Sequence, residues 1–234
     1  MTVTAPVKLS VKDYKSDYHN DWCPGCGDFG ILSSLQMAFA QLKLQPDKVA
    51  VFSGIGCSGK TPHYLKTYGF HTLHGRVLTV ATGGRLVNNG VTVVAMGGDG
   101  DGYGIGAGYF VNTGRRNLDF AYIVHNNGVY GLTKGQSSPT LAIGKKTKSM
   151  PDKAIQDGVN PIGPVASGYT VIARGYALDP KNLSKIIAAA IDRDLRQALA
   201  PVQPRGGGLR RRREGRDEPR GGRREKGAGR CEVV

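Results

Sequence analysis

Glutamate is absent from the first 200 of the 234 residues, although the remaining residues contain four. The chain has a single tryptophan, Trp22, and no run of about 18 apolar residues of the kind that forms a membrane-spanning helix. Its first residues also lack the apolar core of a secretory signal. We therefore expect a cytoplasmic protein that has no membrane partner.

The segment 201–234, called the basic tail below, differs in composition from the rest of the chain. It holds eleven basic and five acidic residues, eight glycines, one leucine and no phenylalanine, tyrosine or tryptophan. Such a segment buries too little apolar surface to offset the entropy that ordering costs. Three interpretations stay open: a disordered extension, a frame-shifted C-terminus and, least favoured, a basic arm that binds nucleic acid.

Residues 1–200 have the length and pattern of one α/β domain. Three short apolar runs, Val49–Ser53, 91–96 and 120–124, predict strands that are buried on both faces. Helical spacing of apolar residues predicts helices over 30–42 and from Pro180 onward. Strands that alternate with helices indicate a doubly wound parallel sheet, whose ligands bind beyond the carboxyl ends of the strands.

A glycine-rich segment, 97–102, follows the second predicted strand and contains Asp99. Glycines let the backbone approach phosphate oxygens, and a helix predicted over 103–112 would add unpaired N–H groups at its N-terminus. A carboxylate beside a diphosphate requires a cation, and Mg²⁺ prefers six oxygen ligands, some of them from phosphate. The segment therefore predicts a magnesium–diphosphate site at Asp99.

A second magnesium ligand is expected at Asn127, because the next strand runs directly into Asn126 and Asn127. Gly-Asp-Gly after one strand and Asn-Asn after the next is the pattern of thiamine diphosphate enzymes. The alternative is that Asp99 and Asn127 only terminate their strands, since both residue types favour turns.

Three of the four cysteines lie in the first 57 residues. Cys23 and Cys26 form a Cys-x-x-Cys pair, and Cys57 lies in a glycine-rich loop after the first strand. In a cytoplasmic chain this spacing favours metal binding or redox chemistry over disulfides. On these residues alone an iron–sulfur cluster, a zinc site and a reactive dithiol stay equally open.

Together these motifs resemble the β subunit of the archaeal-type 2-oxoacid:ferredoxin oxidoreductases, which include relatives of pyruvate:ferredoxin oxidoreductase. The resemblance covers about residues 18–195 and depends on the segments 22–27, 56–60, 71–76, 97–106, 126–136 and 138–140. It implies oxidative decarboxylation of a 2-oxo acid with coenzyme A to acyl-CoA and CO2. Electrons would pass through one four-iron four-sulfur cluster to ferredoxin.

The resemblance also implies roles for individual residues. The magnesium ligands would be Asp99, Asn127 and the carbonyl of Val129, and the cluster ligands would be Cys23, Cys26 and Cys57. The cofactor-binding residues would be Ile55, Gly56, Cys57, Ser58, His74, Gly98, Asp99, Gly100, Asp101, Asn127, Val129 and Tyr130. Lys60 and His74 would be catalytic, although each is also compatible with a surface charge or a structural hydrogen bond.

Two features depart from the family pattern. The fourth cluster cysteine is expected near 200–210, where none occurs, and Cys231 is the only other candidate. The glutamate that activates the pyrimidine ring in nearly all thiamine enzymes is absent from 1–200, so we expect it from an α subunit, or a fused γα subunit, in a heterodimer. Two alternatives remain: a non-redox thiamine enzyme subunit whose cysteines bind zinc, and a basic nucleic-acid-binding protein.

Overall fold

A computed structural model describes residues 9–161 and 168–192, together with the backbone of 230–233. The helices are α1 (Gly27–Gln41), α2 (Val77–Val87), α3 (Ala107–Arg116) and α4 (Pro180–Ile191). The strands are β1 (Val49–Ser53), β2 (Tyr68–His71), β3 (Thr92–Gly98), β4 (Ala121–Asn126), β5 (Val129–Tyr130), β6 (Gln136–Ser137), β7 (Ala173–Tyr176) and β8 (Arg230–Val233). Of the helices in this described part, none has the length and apolarity needed to cross a membrane.

Six strands form one sheet in the order β2-β1-β3-β4-β8-β7. The pairs β1–β2, β1–β3 and β3–β4 are parallel, whereas β8 is antiparallel to both of its neighbours. Strands β5 and β6 form a separate hairpin. The predicted doubly wound α/β fold is confirmed, with β8 as an antiparallel strand inserted into it.

Each face of the sheet buries its own hydrophobic core, because successive side chains of a strand point to opposite faces. Helices α1 and α4 cover one face, where Leu35 and Ile187 pack with Met96. Helices α2 and α3 cover the other face, where Leu78 and Phe110 belong to the second core. Both faces of the central strands are therefore apolar, as their unbroken apolar runs predict.

The helix predicted over 103–112 begins later, at Ala107. Gly100–Ile105 instead forms a short π-helix directly after Asp99. Glycine is a poor α-helix former, and π-turns occur often at functional sites. The first turn after Asp99 is therefore not the start of a regular α-helix.

The end of the basic tail contributes to the sheet. Arg230–Val233 forms β8, which lies between β4 and β7. Residues 193–229 and the predicted boundary near residue 200 lie outside the described residues. The interpretation of the tail as disordered or frame-shifted therefore stays a prediction for that stretch.

Candidate functional site

A cleft of about 510 Å³, including its part open to solvent, lies at the carboxyl ends of β1, β3 and β4 and is called the strand-end cleft. It is lined by Asp28, Ile55, Gly56, Cys57, Ser58, His74, Gly98, Asp99, Gly100, Asp101, His125, Asn127, Val129, Tyr130, Gly131, Leu132 and Thr133. All twelve residues predicted from the sequence to bind a cofactor belong to this lining. The fold thus brings residues from four separate parts of the chain, 55–58, 74, 98–101 and 127–130, to one place.

Asp99 is held rigidly at the end of β3. Its side chain is buried, and its Oδ2 accepts a hydrogen bond from the backbone N–H of Gly128 at 3.2 Å. The hydroxyls of Ser138 and Thr140 donate to the same oxygen. None of these three bonds reaches Oδ1, so the carboxylate is oriented by the protein while one oxygen can face a cation.

Asn127 and Val129 stand beside Asp99 because β3 and β4 are parallel neighbours, with Gly98 in register with His125. The backbone N–H of Val129 donates to Oδ1 of Asn127 at 3.0 Å, which fixes the turn after β4. A carboxylate, an amide oxygen and a carbonyl are ligands that suit Mg²⁺, with the other positions left for phosphate and water. These residues fit the predicted magnesium–diphosphate group.

Two glycines of the cleft cannot easily be replaced. A Cβ at Gly100 would overlap the ring of Tyr130, whose hydroxyl donates to the Gly100 carbonyl at 3.3 Å. Gly56 has a φ of +122°, a conformation that other residues rarely adopt, and it faces open space. Gly56 therefore leaves backbone open at the cleft, as an approaching phosphate requires, whereas Gly100 makes room for the Tyr130 ring.

Asp101 fastens the loops of the cleft together. Its Oδ1 accepts hydrogen bonds from the backbone N–H groups of Ile55 at 3.0 Å and Gly75 at 2.8 Å. The side chain is 1% exposed, and this burial raises the pKa of the carboxyl group. Sequence reasoning gave Asp101 only a cofactor contact and missed this fastening role, which depends on amides 46 and 26 residues away in the chain.

The two residues predicted to be catalytic lie in different places. His74 lines the cleft, with Nδ1 3.4 Å from Oδ1 of Asp101 and its ring 6.0 Å from that of Tyr130. Lys60 is not part of the lining. Its Nζ lies 2.6 Å from Asp21, and this hydrogen bond raises the pKa of the lysine.

Cys23, Cys26 and Cys57 form no disulfide. Cys23 and Cys26 lie just before the N-terminus of α1. Cys57 lines the strand-end cleft, Cys23 is exposed, and Cys26 caps α1. Burial raises the pKa of Cys26 to about 11 and raises that of Cys57. The carbonyl of Cys57 accepts the indole N–H of Trp22 at 2.8 Å, which fixes this loop.

A complete cluster site is not formed by the side chains that the structure describes. Within that part of the chain, no group of three or more His, Cys, Asp or Glu side chains is arranged to hold a metal ion. Cys231 lies on β8 with its backbone in register with His125. The described side chains alone therefore do not complete a site for a four-iron cluster.

A buried pair of an aspartate and a histidine was not predicted from the sequence. Oδ1 of Asp28, in the first turn of α1, lies 2.7 Å from Nδ1 of His125 at the end of β4, and both residues line the cleft. They are 97 residues apart in the chain, and neither belongs to a motif that predicts the pairing. Only the packing of α1 on the sheet brings them together.

Comparison with known proteins agrees with this geometry. Residues 54–199 match the family described as thiamine pyrophosphate enzyme, C-terminal TPP binding domain. The 2-oxoacid:ferredoxin oxidoreductase subunit beta of Saccharolobus solfataricus is 56% identical over 188 residues, which cover 79% of this chain and 62% of that relative. Subunit KorB of the 2-oxoglutarate oxidoreductase of Mycobacterium tuberculosis is 40% identical over 76% of this chain and 48% of its own length.

Among solved structures, a 2-oxoglutarate:ferredoxin oxidoreductase from Magnetococcus marinus, with 2-oxoglutarate, coenzyme A and succinyl-CoA bound, is similar with a TM-score of 0.74 at 40% identity. The match covers 78% of this chain and 63% of that one. The chain thus spans less than two thirds of the length of these relatives. It belongs to the thiamine pyrophosphate enzymes that share this TPP-binding domain, and within them it is a relative of the 2-oxoacid:ferredoxin oxidoreductase β subunits.

Proposed function

We propose that this chain is the β subunit of a CoA-acylating 2-oxoacid:ferredoxin oxidoreductase that binds thiamine diphosphate through Mg²⁺. The observation that supports it most strongly is the oriented Asp99 carboxylate beside Asn127 in the strand-end cleft, with Cys57 in the same lining. The similarity to enzymes of that name over more than three quarters of this chain supports the same conclusion.

In this proposal Asp99, Asn127 and the carbonyl of Val129 hold Mg²⁺, and the backbone at Gly56 and Gly100 lies against the diphosphate. The bound cofactor supplies the carbanion that attacks a 2-oxo acid. The chain's own part is to orient that cofactor: Asp101 keeps the loops in place, and Tyr130 and His74 stand at the same cleft.

The cysteines are proposed to bind a four-iron cluster whose fourth ligand is not among the described side chains. Cys57 lines the cleft and interacts electrostatically with Cys23 and Cys26, so a cluster on these cysteines would lie next to the cleft. Cysteine thiols must lose their protons to bind metal, and the positive charge of iron would offset the burial that raises the pKa of Cys26 and Cys57.

A partner subunit is needed for activity in this proposal, because residues 1–200 contain no glutamate to activate the pyrimidine ring. The sheet offers a surface for such a partner at β2, an edge strand whose four residues are all exposed. Tyr68 and Phe70 on this strand are 55% and 47% exposed, and Leu73 just after it is 76% exposed. Apolar side chains grouped at a sheet edge are typical of a covered interface.

The test is co-expression with an α subunit of a 2-oxoacid:ferredoxin oxidoreductase, followed by measurement of dye reduction that depends on a 2-oxo acid and coenzyme A. We expect activity in the complex and none in the isolated chain. Iron analysis with electron paramagnetic resonance should detect the cluster in the same preparation. A complex that binds thiamine diphosphate but contains zinc and reduces no dye would favour the non-redox alternative, and activity of the isolated chain would refute the need for a partner.

A further inference from the structure

Asp28 and His125 form a buried pair in the lining of the strand-end cleft to which no role has yet been given. Their side-chain atoms Oδ1 and Nδ1 are 2.7 Å apart, and the two residues are 8% and 5% exposed. Burial would raise the pKa of Asp28, but the charge and hydrogen bond of His125 hold it below its usual value. A carboxylate can only accept, so Nδ1 of His125 donates to it and the imidazole ring is fixed.

The other ring nitrogen of His125 is left without a partner. Among the described residues no group hydrogen-bonds to Nε2, although this atom is buried. A buried polar atom without a partner costs free energy and calls for an explanation, such as a ligand that completes it. Because His125 lines the cleft, a ligand bound there is the nearest source of a partner.

The charges of the lining indicate what kind of atom that partner is. The side chains facing the cleft include three aspartates, Asp28, Asp99 and Asp101, and neither lysine nor arginine. An anionic ligand in such a cleft therefore depends on a cation at Asp99 and on N–H donors. The only side chains of the lining that can supply a positively charged N–H donor are the imidazoles of His74 and His125.

The position of His125 in the sheet agrees with a diphosphate as that ligand. His125 is in register with Gly98, the residue before the proposed magnesium ligand Asp99. The Ser58 hydroxyl and the backbone carbonyl of His125 lie 3.4 and 3.9 Å from the position that a Cβ at Gly98 would occupy. His125 therefore lies at the level of the sheet at which the diphosphate is proposed to bind.

We propose that His125, held in place by Asp28, donates a hydrogen bond from Nε2 to a diphosphate oxygen of the ligand in the strand-end cleft; in that complex both ring nitrogens carry a proton, and Asp28 is the counter-ion of the imidazolium. This inference depends on the proposed function, because it takes thiamine diphosphate as that ligand. His125 is then a cofactor-binding residue, and Asp28 is a positioning residue that fixes the direction of the imidazole.

The test is calorimetric binding of three probes to the full chain in its complex, each with Mg²⁺: thiamine diphosphate, inorganic diphosphate and thiamine. We expect His125→Phe to weaken both diphosphates by roughly 10-fold and thiamine hardly at all, because the variant keeps the ring and loses the donor. His125→Gln keeps an N–H donor and should recover part of the loss. Asp28→Asn should fall between the wild-type protein and His125→Phe.

The matched control is His63→Phe, which makes the same substitution at an exposed histidine outside the cleft and should change no affinity. Equal affinities of the wild-type and His125→Phe proteins for diphosphate would overturn the inference while leaving the proposed function intact. An equal loss for all three probes, accompanied by a lower melting temperature, would overturn it in favour of a structural role. A wild-type complex that binds none of the probes would overturn the proposed function and the inference together.

Discussion

At the diphosphate end of the strand-end cleft, Asp99 is oriented by three hydrogen bonds before any ligand arrives. At the cysteine end, burial raises the pKa of Cys26 and Cys57, and no complete metal site is formed by the described side chains. Oxygen ligands can be oriented by neighbouring hydroxyl and N–H groups. Thiolates repel one another and form only when the thiols lose their protons, so the metal itself must hold them together. We therefore expect a substitution at one end of the cleft to leave ligand binding at the other end largely unchanged.

The largest effect is expected from Asp99→Ala. This variant removes the charged oxygen ligand proposed for Mg²⁺, and we expect thiamine diphosphate affinity to fall by at least about 100-fold. Isothermal titration calorimetry in the presence of Mg²⁺ measures it, with Asp47→Ala at an exposed site as the control. Unchanged affinity in Asp99→Ala would remove the basis for the diphosphate end.

Cys23→Ser should affect only the cysteine end, because Cys23 is exposed and does not line the strand-end cleft. We expect loss of bound iron and of its electron paramagnetic resonance signal, whereas Mg²⁺-dependent affinity for thiamine diphosphate should stay within about twofold, since separate sites perturb one another little. Cys231→Ser is measured beside it, and an equal loss of iron there would make Cys231 the fourth ligand. A large loss of thiamine diphosphate affinity in Cys23→Ser would show that the two ends are not independent.

Asp101→Ala should destabilise the loops that form the strand-end cleft. It leaves the N–H groups of Ile55 and Gly75 without their acceptor, so the free energy of unfolding should fall by about 2 kcal/mol. Asp101→Asn is the matched control, because it keeps an acceptor oxygen and also removes the charge that burial disfavours. Urea denaturation measures both variants, and an Ala variant as stable as the Asn variant would contradict the fastening role.

The smallest effect concerns the reactivity of Cys26 in the metal-free chain. With a pKa of about 11, its thiolate fraction is low at neutral pH and rises with increasing pH. Alkylation followed by mass spectrometry should therefore modify Cys26 slowly at pH 7 and faster at pH 9, and iron uptake should increase over the same range. Rapid labelling of Cys26 at pH 7 would mean that the thiol is less buried than the structure shows.

Much of the fold could be predicted because the signals are local. The apolar runs of β1, β3 and β4 and the Asp179-Pro180 start of α4 each lie within a few residues, and the structure confirms all of them. The N-terminal side of α3 could not be placed, because alternating glycines permit either an α-helix or a π-turn. The choice between these conformations depends on contacts with other segments, such as the hydrogen bonds that Asp101 accepts from Ile55 and Gly75.

The position of Asp99 and Asn127 at the ends of strands could be predicted from the amino-acid sequence, because each lies directly after an apolar run and parallel strands end at the same edge. The contacts of Asp101 with loop N–H groups, of Lys60 with Asp21 and of Asp28 with His125 arise only when the chain folds. These contacts join residues 26 to 97 positions apart, so they depend on how α1 and the loops pack on the sheet and have no signature in any short stretch of sequence.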